Sequence, residues 1–568
     1  MRPGRARAGA AALALALAWA AAGCANLPRS GEVKAGLEGI RDEAPYVRAV
    51  AAPPAPGASL EQIVEGFLQA MLAGATDDFK VARSYLQEGI AGVWDPSAGV
   101  VVYQSGAAPG LAQAGAQGAQ MVLTVTQVAA VDAAGQYTAL AARPWSETID
   151  LEQDQAGEWR ISDLPDGTVI PEDVFRADYL AVPLYFPSAD GQFLVPDRRV
   201  FPRQSAATDA ARQFLAGPPA YLGGAVGTVV PSGARLATDA VKVADGVAVV
   251  NLSEAMARAS ESARAAVHAC LTAALTALPD VRSVALEVAG APLEVQAGAG
   301  PAADPQAGAG LFYLGEGGVW RREGAEGALL EGTEAAAAWQ ALTVDHSGQR
   351  FAGLAAAGSL ALLARAGGEA EVLALPPAQS APSAAPAFDR LGWLWAAAGH
   401  QVAVFGSDGE AAQLEAAWLE GARVVALAPS RDGARLALAV EQAGAGEVSV
   451  FVAGIARGAG AAPWRLAGPL LVGRVPGPVG SLSWADGLTL ALLAPAEAAG
   501  AATPALLTVG GDLVYLKSPT DPPVALAAGR GVDEVFATGQ AGGLFAYSAR
   551  GRVWSSLAGG ARAVALPP

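Results

Sequence analysis

A phrase that recurs at a fixed period constrains this chain most. Its clearest copy is Leu427-Ala428-Pro429-Ser430-Arg431-Asp432-Gly433-Ala434-Arg435-Leu436-Ala437, and an earlier one is Val344-Asp345-His346-Ser347-Gly348-Gln349-Arg350-Phe351-Ala352. Shorter echoes stand at 388–393 and 482–488. Asp345, Asp389 and Asp432 are 44 and 43 residues apart, the length of one four-stranded propeller blade, about 40–45 residues. Around these aspartates short strands alternate with Gly-rich turns and helical periodicity is lost. A β-sandwich would not repeat at this period. Residues 310–568 are therefore expected to form an all-β propeller, and about 260 residues leave room for roughly five to seven blades.

Two α+β units are expected ahead of it. The first covers 58–170. Ser59 and Gln62 form a capping box, and Leu60, Ile63, Val64, Phe67, Leu68 and Met71 follow at helical spacing. Asp77 or Asp78 is read as the cap of a second helix carrying Phe79, Ala82, Tyr85 and Leu86. Strand patterns then stand at 100–103, 120–131, 136–142, 148–151 and 158–161. Two helices followed by a meandering sheet suggest an NTF2-like cone, a fold that can enclose a pocket. The second unit is placed at 198–298. Thr208 is read as a helix cap, Asp245-Gly246 joins two alternating runs as a hairpin, and a long helix is expected over 253–278.

The N-terminus carries a targeting signal. Arg2, Arg5 and Arg7 precede an apolar run over 8–22, shorter than the roughly 20 residues a spanning helix needs. The run ends in Ala21-Ala22-Gly23-Cys24, small residues that admit a lipoprotein signal peptidase ahead of a thiol that accepts a diacylglyceryl group; Ala21 stands where Leu is commoner. Residues 1–23 are thus expected to be a lipoprotein signal peptide cut between Gly23 and Cys24, with Cys24 lipidated. Residues 24–57, broken by Pro28, Pro45, Pro53, Pro54 and Pro56, form a tether. This places the folded part on the extracytoplasmic face of a cell membrane.

Composition excludes much chemistry. A net charge of −17 argues against a nucleic-acid partner, which needs a cationic patch to displace counterions. Two cysteines and three histidines leave no material for a disulfide framework or a Cys/His zinc site. Cys270, within a helical pattern, reads as buried and inert. No Gly-x-Ser-x-Gly elbow, phosphate-binding loop or His-Glu-x-x-His helix is present. Asp163 and Asp166 read as turn residues, Asp77-Asp78 as a cap, and His346 and His400 as surface or satisfied positions. No catalytic residue, metal or cofactor is therefore expected. Trp393, Trp395, Trp464, Trp484 and Trp554 read chiefly as packing between blades, with a glycan-stacking face as the alternative.

The segments Glu158-Trp159-Arg160-Ile161-Ser162-Asp163-Leu164-Pro165-Asp166-Gly167, Leu184-Tyr185-Phe186 and Leu194-Val195-Pro196-Asp197-Arg198 resemble the actinobacterial lipoprotein LpqB family. That family similarly joins a lipobox, an N-terminal domain, a GerMN domain and a propeller. The second unit is similar to GerMN through Leu215-Ala216-Gly217-Pro218, the Asp245-Gly246 hairpin and Val250-Asn251-Leu252-Ser253, with Asn251 in place of the Asp expected there. The resemblance implies an accessory protein that contacts the outer domain of a sensor histidine kinase, MtrB, and modulates two-component signalling for envelope maintenance and division. A different class of function stays open beside it: binding of envelope glycan or a small ligand in the cone pocket or the propeller channel.

Overall fold

The computed structural model describes residues 51–568, apart from 115–118, 297–299, 304, 306–307, 357, 365–366, 377–380, 408, 410, 498–499 and 530. Helix α1 (Leu60–Asp77) opens the first domain. The capping box forms as the sequence expects: Ser59 Oγ accepts from the Gln62 amide at 3.3 Å, and Gln62 Oε1 accepts from the Ser59 amide at 2.9 Å. The helix buries Ile63, Val64, Phe67 and Met71. Asp78 does not start a second helix. It closes α1 with φ 57°, and Phe79 follows with φ 55°. Two successive left-handed residues turn the chain sharply, so the expected second helix shrinks to one turn, Lys80–Arg83, and Phe79 packs edge-on against Trp94 at 5.7 Å.

Six strands make the sheet: β1 (Gly99–Tyr103), β2 (Gly110–Ala114), β3 (Gln120–Asp132), β4 (Tyr137–Gln153), β5 (Trp159–Asp163) and β6 (Thr168–Pro171). Their order is β5-β4-β3-β1-β6 with β2 beside β3, and only the β1–β6 pair is parallel. The two strands expected at 136–142 and 148–151 are one, β4. Pro144 breaks the sequence pattern but not the strand: it stays in register with Thr126, and the ladder's irregularity falls beside it, where Leu140, Ala141 and Ala142 of β4 face Val128 of β3. One face packs on α1 through Met121, Leu123, Ile149 and Leu151. The other packs on α2 (Glu172–Asp178) through Val100, Val102 and Val131.

The second domain starts with a hairpin, β7 (Tyr179–Pro187) and β8 (Leu194–Pro202). Helix α3 (Ala206–Ala216) follows, then β9 (Lys242–Ala244), β10 (Val247–Leu252), α4 (Glu261–Leu275), β11 (Ser283–Val288) and β12 (Ala291–Pro292). The sheet order is β12-β11-β10-β9, with α4 as the crossover between parallel β10 and β11. Asp245 and Gly246 both have positive φ, as a tight hairpin turn requires. The helix expected over 253–278 splits into a short turn, Glu254–Arg258, and α4, because Ser260 Oγ accepts from the Ala263 amide and caps a fresh start. Thr208 lies inside α3, where its hydroxyl accepts from the Val241 amide at 3.0 Å. Val182, Leu184 and Phe186 of β7 share one core with Phe214 and Leu271, so the domain as it packs begins ahead of residue 198.

Six four-stranded sheets follow, the fourth with one strand more, and they are the blades of a β-propeller. Blade 1 takes its inner strand, Ala563–Ala565, from the end of the chain and pairs it with Leu311–Gly315. Blades 2 to 6 occupy 343–373, 387–413, 422–476, 481–515 and 523–558. The recurring aspartates close the turn between a blade's first two strands. Asp345 accepts from the Gln349 and Arg350 amides, Asp389 from Leu391 and Trp393, Asp432 from Ala434, and Asp486 from Leu488 and Thr489.

Candidate functional site

Strand β8, which carries Leu194-Val195-Pro196-Asp197-Arg198, is the segment on which the three domains meet. Leu194 and Val195 are buried in the second domain's core. The Pro196 carbonyl accepts from Arg435 Nη1 of blade 4 at 3.1 Å. Arg198 Nη1 donates to the Gly510 carbonyl of blade 5. Facing the first domain, Arg199 Nη1 donates to the Ala134 carbonyl at 2.6 Å and the Val200 amide to the Gly135 carbonyl at 2.8 Å. Side chains and backbone of this one strand thus reach into all three domains.

Two buried ion pairs sit at that junction. Asp197 is fully buried and accepts from Arg199 Nε at 2.5 Å and from the Tyr221 hydroxyl at 2.9 Å. Burial pushes its carboxyl up, against the pull of Arg199 and Tyr221. Arg435, the last arginine of the repeated phrase, is equally buried. It pairs with Asp432 and lies over the Trp484 ring at 4.6 Å. Nearby, Arg390 stacks on Phe193 at 4.0 Å. Apolar packing is continuous here, since one core cluster runs from Phe214 and Leu271 into Ala437, Val450 and Leu490 of blades 4 and 5. At Gly454 a Cβ would meet the Tyr221 carbonyl and Ala225 at 2.8 Å, so blade and domain touch backbone to backbone. On the first domain's side, Arg176 pairs with Asp512 at 3.3 Å and the Tyr137 hydroxyl reaches the same carboxylate at 3.5 Å.

Among the concavities away from the junction are the propeller channel and a cavity of the first domain. The propeller channel, 230 Å³, is walled by the inner strands of all six blades. Three of its hydroxyls link one blade to the next: Thr343 accepts from the Phe388 amide, Ser481 from Leu526 and Ser483 from Ala528. The rest of the wall mixes Ala, Leu and Val with Gln340, Arg431 and Trp484. A second cavity, also 230 Å³, opens in the first domain between α1 and the sheet.

The sequence-derived candidates fall as follows. Gly23 and Cys24 lie outside the described residues. Cys270 is fully buried in α4, and burial pushes its thiol up. Asn251 Oδ1 accepts from the Gly290 amide at 3.0 Å, so it ties the end of β10 to the β11–β12 turn instead of capping a helix. Asp166 accepts from the Asp95 amide at 2.8 Å. His346 Nδ1 lies 2.5 Å from the Pro568 carbonyl, and His400 stands exposed at a turn. Trp395 and Trp484 are blade core, the former donating to Asp389 at 3.0 Å, whereas Trp464 is 49% exposed. Among the described residues no group of three or more His, Cys, Asp or Glu is placed to hold a metal. Sequence reasoning missed Arg435 as the hub; the signal was there, in a second arginine three residues after the turn aspartate.

Residues 53–176 match the family model described as the N-terminal domain of lipoprotein LpqB. Residues 183–294 match a sporulation and spore germination model, and 317–567 the lipoprotein LpqB beta-propeller domain. The chain belongs to the LpqB family. A protein named Lipoprotein LpqB from Cutibacterium acnes is 36% identical over 251 residues, covering 43% of this chain and 40% of that protein. Proteins of the same name from Streptomyces coelicolor and Thermobifida fusca are each 32% identical, over 248 and 292 residues, or 39% and 48% of this chain and 39% and 45% of theirs. The aligned stretch thus spans less than half the length of each curated relative. The three matched models follow the order of the three domains seen in the fold, and the junction strand β8 lies inside the germination-type one.

Proposed function

We propose that this LpqB-family chain is a non-enzymatic accessory lipoprotein. Anchored through Cys24 on the extracytoplasmic face of the cell membrane, it binds the outer domain of an MtrB-like sensor histidine kinase and modulates two-component signalling for envelope maintenance and division. The observation that carries a protein partner over a glycan is the propeller rim. Leu329, Val372, Trp464, Val514 and Val553 are all exposed, and each stands on the outer strand of a different blade. Apolar side chains there offer a partner contact area, although at Trp464 the strand's backbone is already paired with Glu415. The anchor helps affinity: partners held on one membrane face meet at high effective concentration, so modest contacts suffice.

The test is binding of the full chain, in lipid nanodiscs, to the purified outer domain of the cognate kinase. Saturable binding at micromolar concentration or tighter is expected. Val372→Glu, Trp464→Glu and Val514→Glu, all at exposed positions, should leave the melting temperature unchanged, and at least one should weaken binding tenfold or more. Full-strength binding by all three would move the interface off the rim. No binding by the folded wild type would overturn the reading.

A further inference from the structure

The first-domain cavity is lined mostly by apolar side chains. Its floor is Phe67 and Met71 of α1 with Leu123 and Ile149 of the sheet, all buried. Trp145 and Leu164 stand half-buried at its edge, so the floor is reachable from solvent. One wall is the loop Leu164-Pro165-Asp166-Gly167, the part of the family-like motif for which sequence reasoning found only a turn. That loop is preformed. Asp166 accepts from the Asp95 amide, the Gly167 amide donates to the Asp95 carbonyl at 2.8 Å, and a Cβ at Gly167 would strike the Gly99 carbonyl at 2.7 Å. A wall held open in this way keeps the space from collapsing onto the apolar floor.

We infer that this cavity takes one alkyl chain of a neutral membrane amphiphile. An apolar cavity of about 150 Å³ seats a benzene ring, so 230 Å³ takes a run of several methylenes. The polar groups at the mouth, Glu147 and Asp166, are both acidic. They disfavour an anionic headgroup, so a fatty acid or anionic lipid fits worse than a neutral one. The source is the bilayer. The first domain is the one that follows Cys24 most closely along the chain, so of the three domains it is joined to the proposed anchor by the shortest stretch of sequence. That placement rests on the anchor proposed above; the lining and the rim charges do not.

The test uses the full chain and a ten-carbon fatty alcohol bearing a photoreactive diazirine near its end, with adducts mapped by mass spectrometry. Adducts are expected on the lining, chiefly Phe67, Met71, Trp145 and Leu164. Unlabelled alcohols should compete about fourfold better per added methylene until the cavity is full, and decanoate should compete worse than decanol. Val101→Trp, which fills the space from β1, should cut labelling tenfold or more at unchanged melting temperature. Leu68→Trp fills it from α1 should the first variant not fold. Adducts spread over the surface, labelling indifferent to both fillings, or no labelling would each overturn the inference. Failure of the anchor would show separately, in membrane fractionation of Cys24→Ser.

Discussion

At the scale of single residues, the molecule depends on charges placed where water is absent. Arg435 binds Asp432, the Pro196 carbonyl and the Trp484 face at once. Arg435→Leu strands the Asp432 carboxylate, and loss of a buried ion-pair partner is expected to cost about 3–5 kcal/mol, read by guanidinium unfolding. Arg435→Leu combined with Asp432→Leu should recover part of that loss, whereas Arg435→Lys should not, because an ammonium cannot stack and bridge as a planar guanidinium does. A second prediction concerns alkaline pH. Burial pushes the Tyr137 and Tyr179 phenols from the ordinary 10.0 to about 12. Below pH 10 both are protonated whether the chain is folded or not. Between 10 and 12 only the unfolded chain releases their protons, so stability should fall as pH rises through that window. Unfolding midpoints beside phenolate absorbance would check it; phenolate appearing near pH 10 with no loss of stability would contradict it.

At the scale of elements, the sequence speaks clearly wherever a structure closes on itself locally. The Ser59–Gln62 cap, the Asp245-Gly246 turn and the four turn aspartates all satisfy donors within five residues, and all form as their spacing implies. Reading failed where the deciding contact is distant. After Asp78 two successive left-handed residues turn the chain towards the Phe79–Trp94 contact and only one helical turn follows, and β4 runs through Pro144 in register with β3. Blade 1 is the extreme case, since its inner strand Ala563–Ala565 joins Leu311–Gly315 from about 250 residues away. Removing residues 562–568 leaves that blade with an open edge. The expected outcome is a melting temperature lower by about 10 °C or more, with higher-order species on size exclusion from the exposed ladder. An unchanged melt would mean that the ring does not depend on this closure.

At the scale of the whole molecule, residues 49–568 form one compact unit. The shared core and the β8 bonds join the three domains by direct packing and not only through the chain that links them. For location, the prediction is that Cys24→Ser releases the chain from the membrane or leaves it as uncleaved precursor, by fractionation and mass spectrometry of the N-terminal peptide. Membrane retention of the wild type with no acyl group on Cys24 would sink the anchor.

By itself the sequence determined the local grammar: a blade-length period, its turn aspartates, helix starts, a hairpin, and a chain order of three units matching a recognisable family. These follow from short-range sterics and hydrogen bonding, which a few neighbouring residues dictate. Only the tertiary structure decided that the blades number six, that β7 and β8 belong to the second domain, and that Pro196 meets an arginine 239 residues later. The walls of the first-domain cavity likewise come together only in the fold. Such pairings are chosen by closure of the ring and by which apolar faces remain to be covered, and no local pattern encodes either.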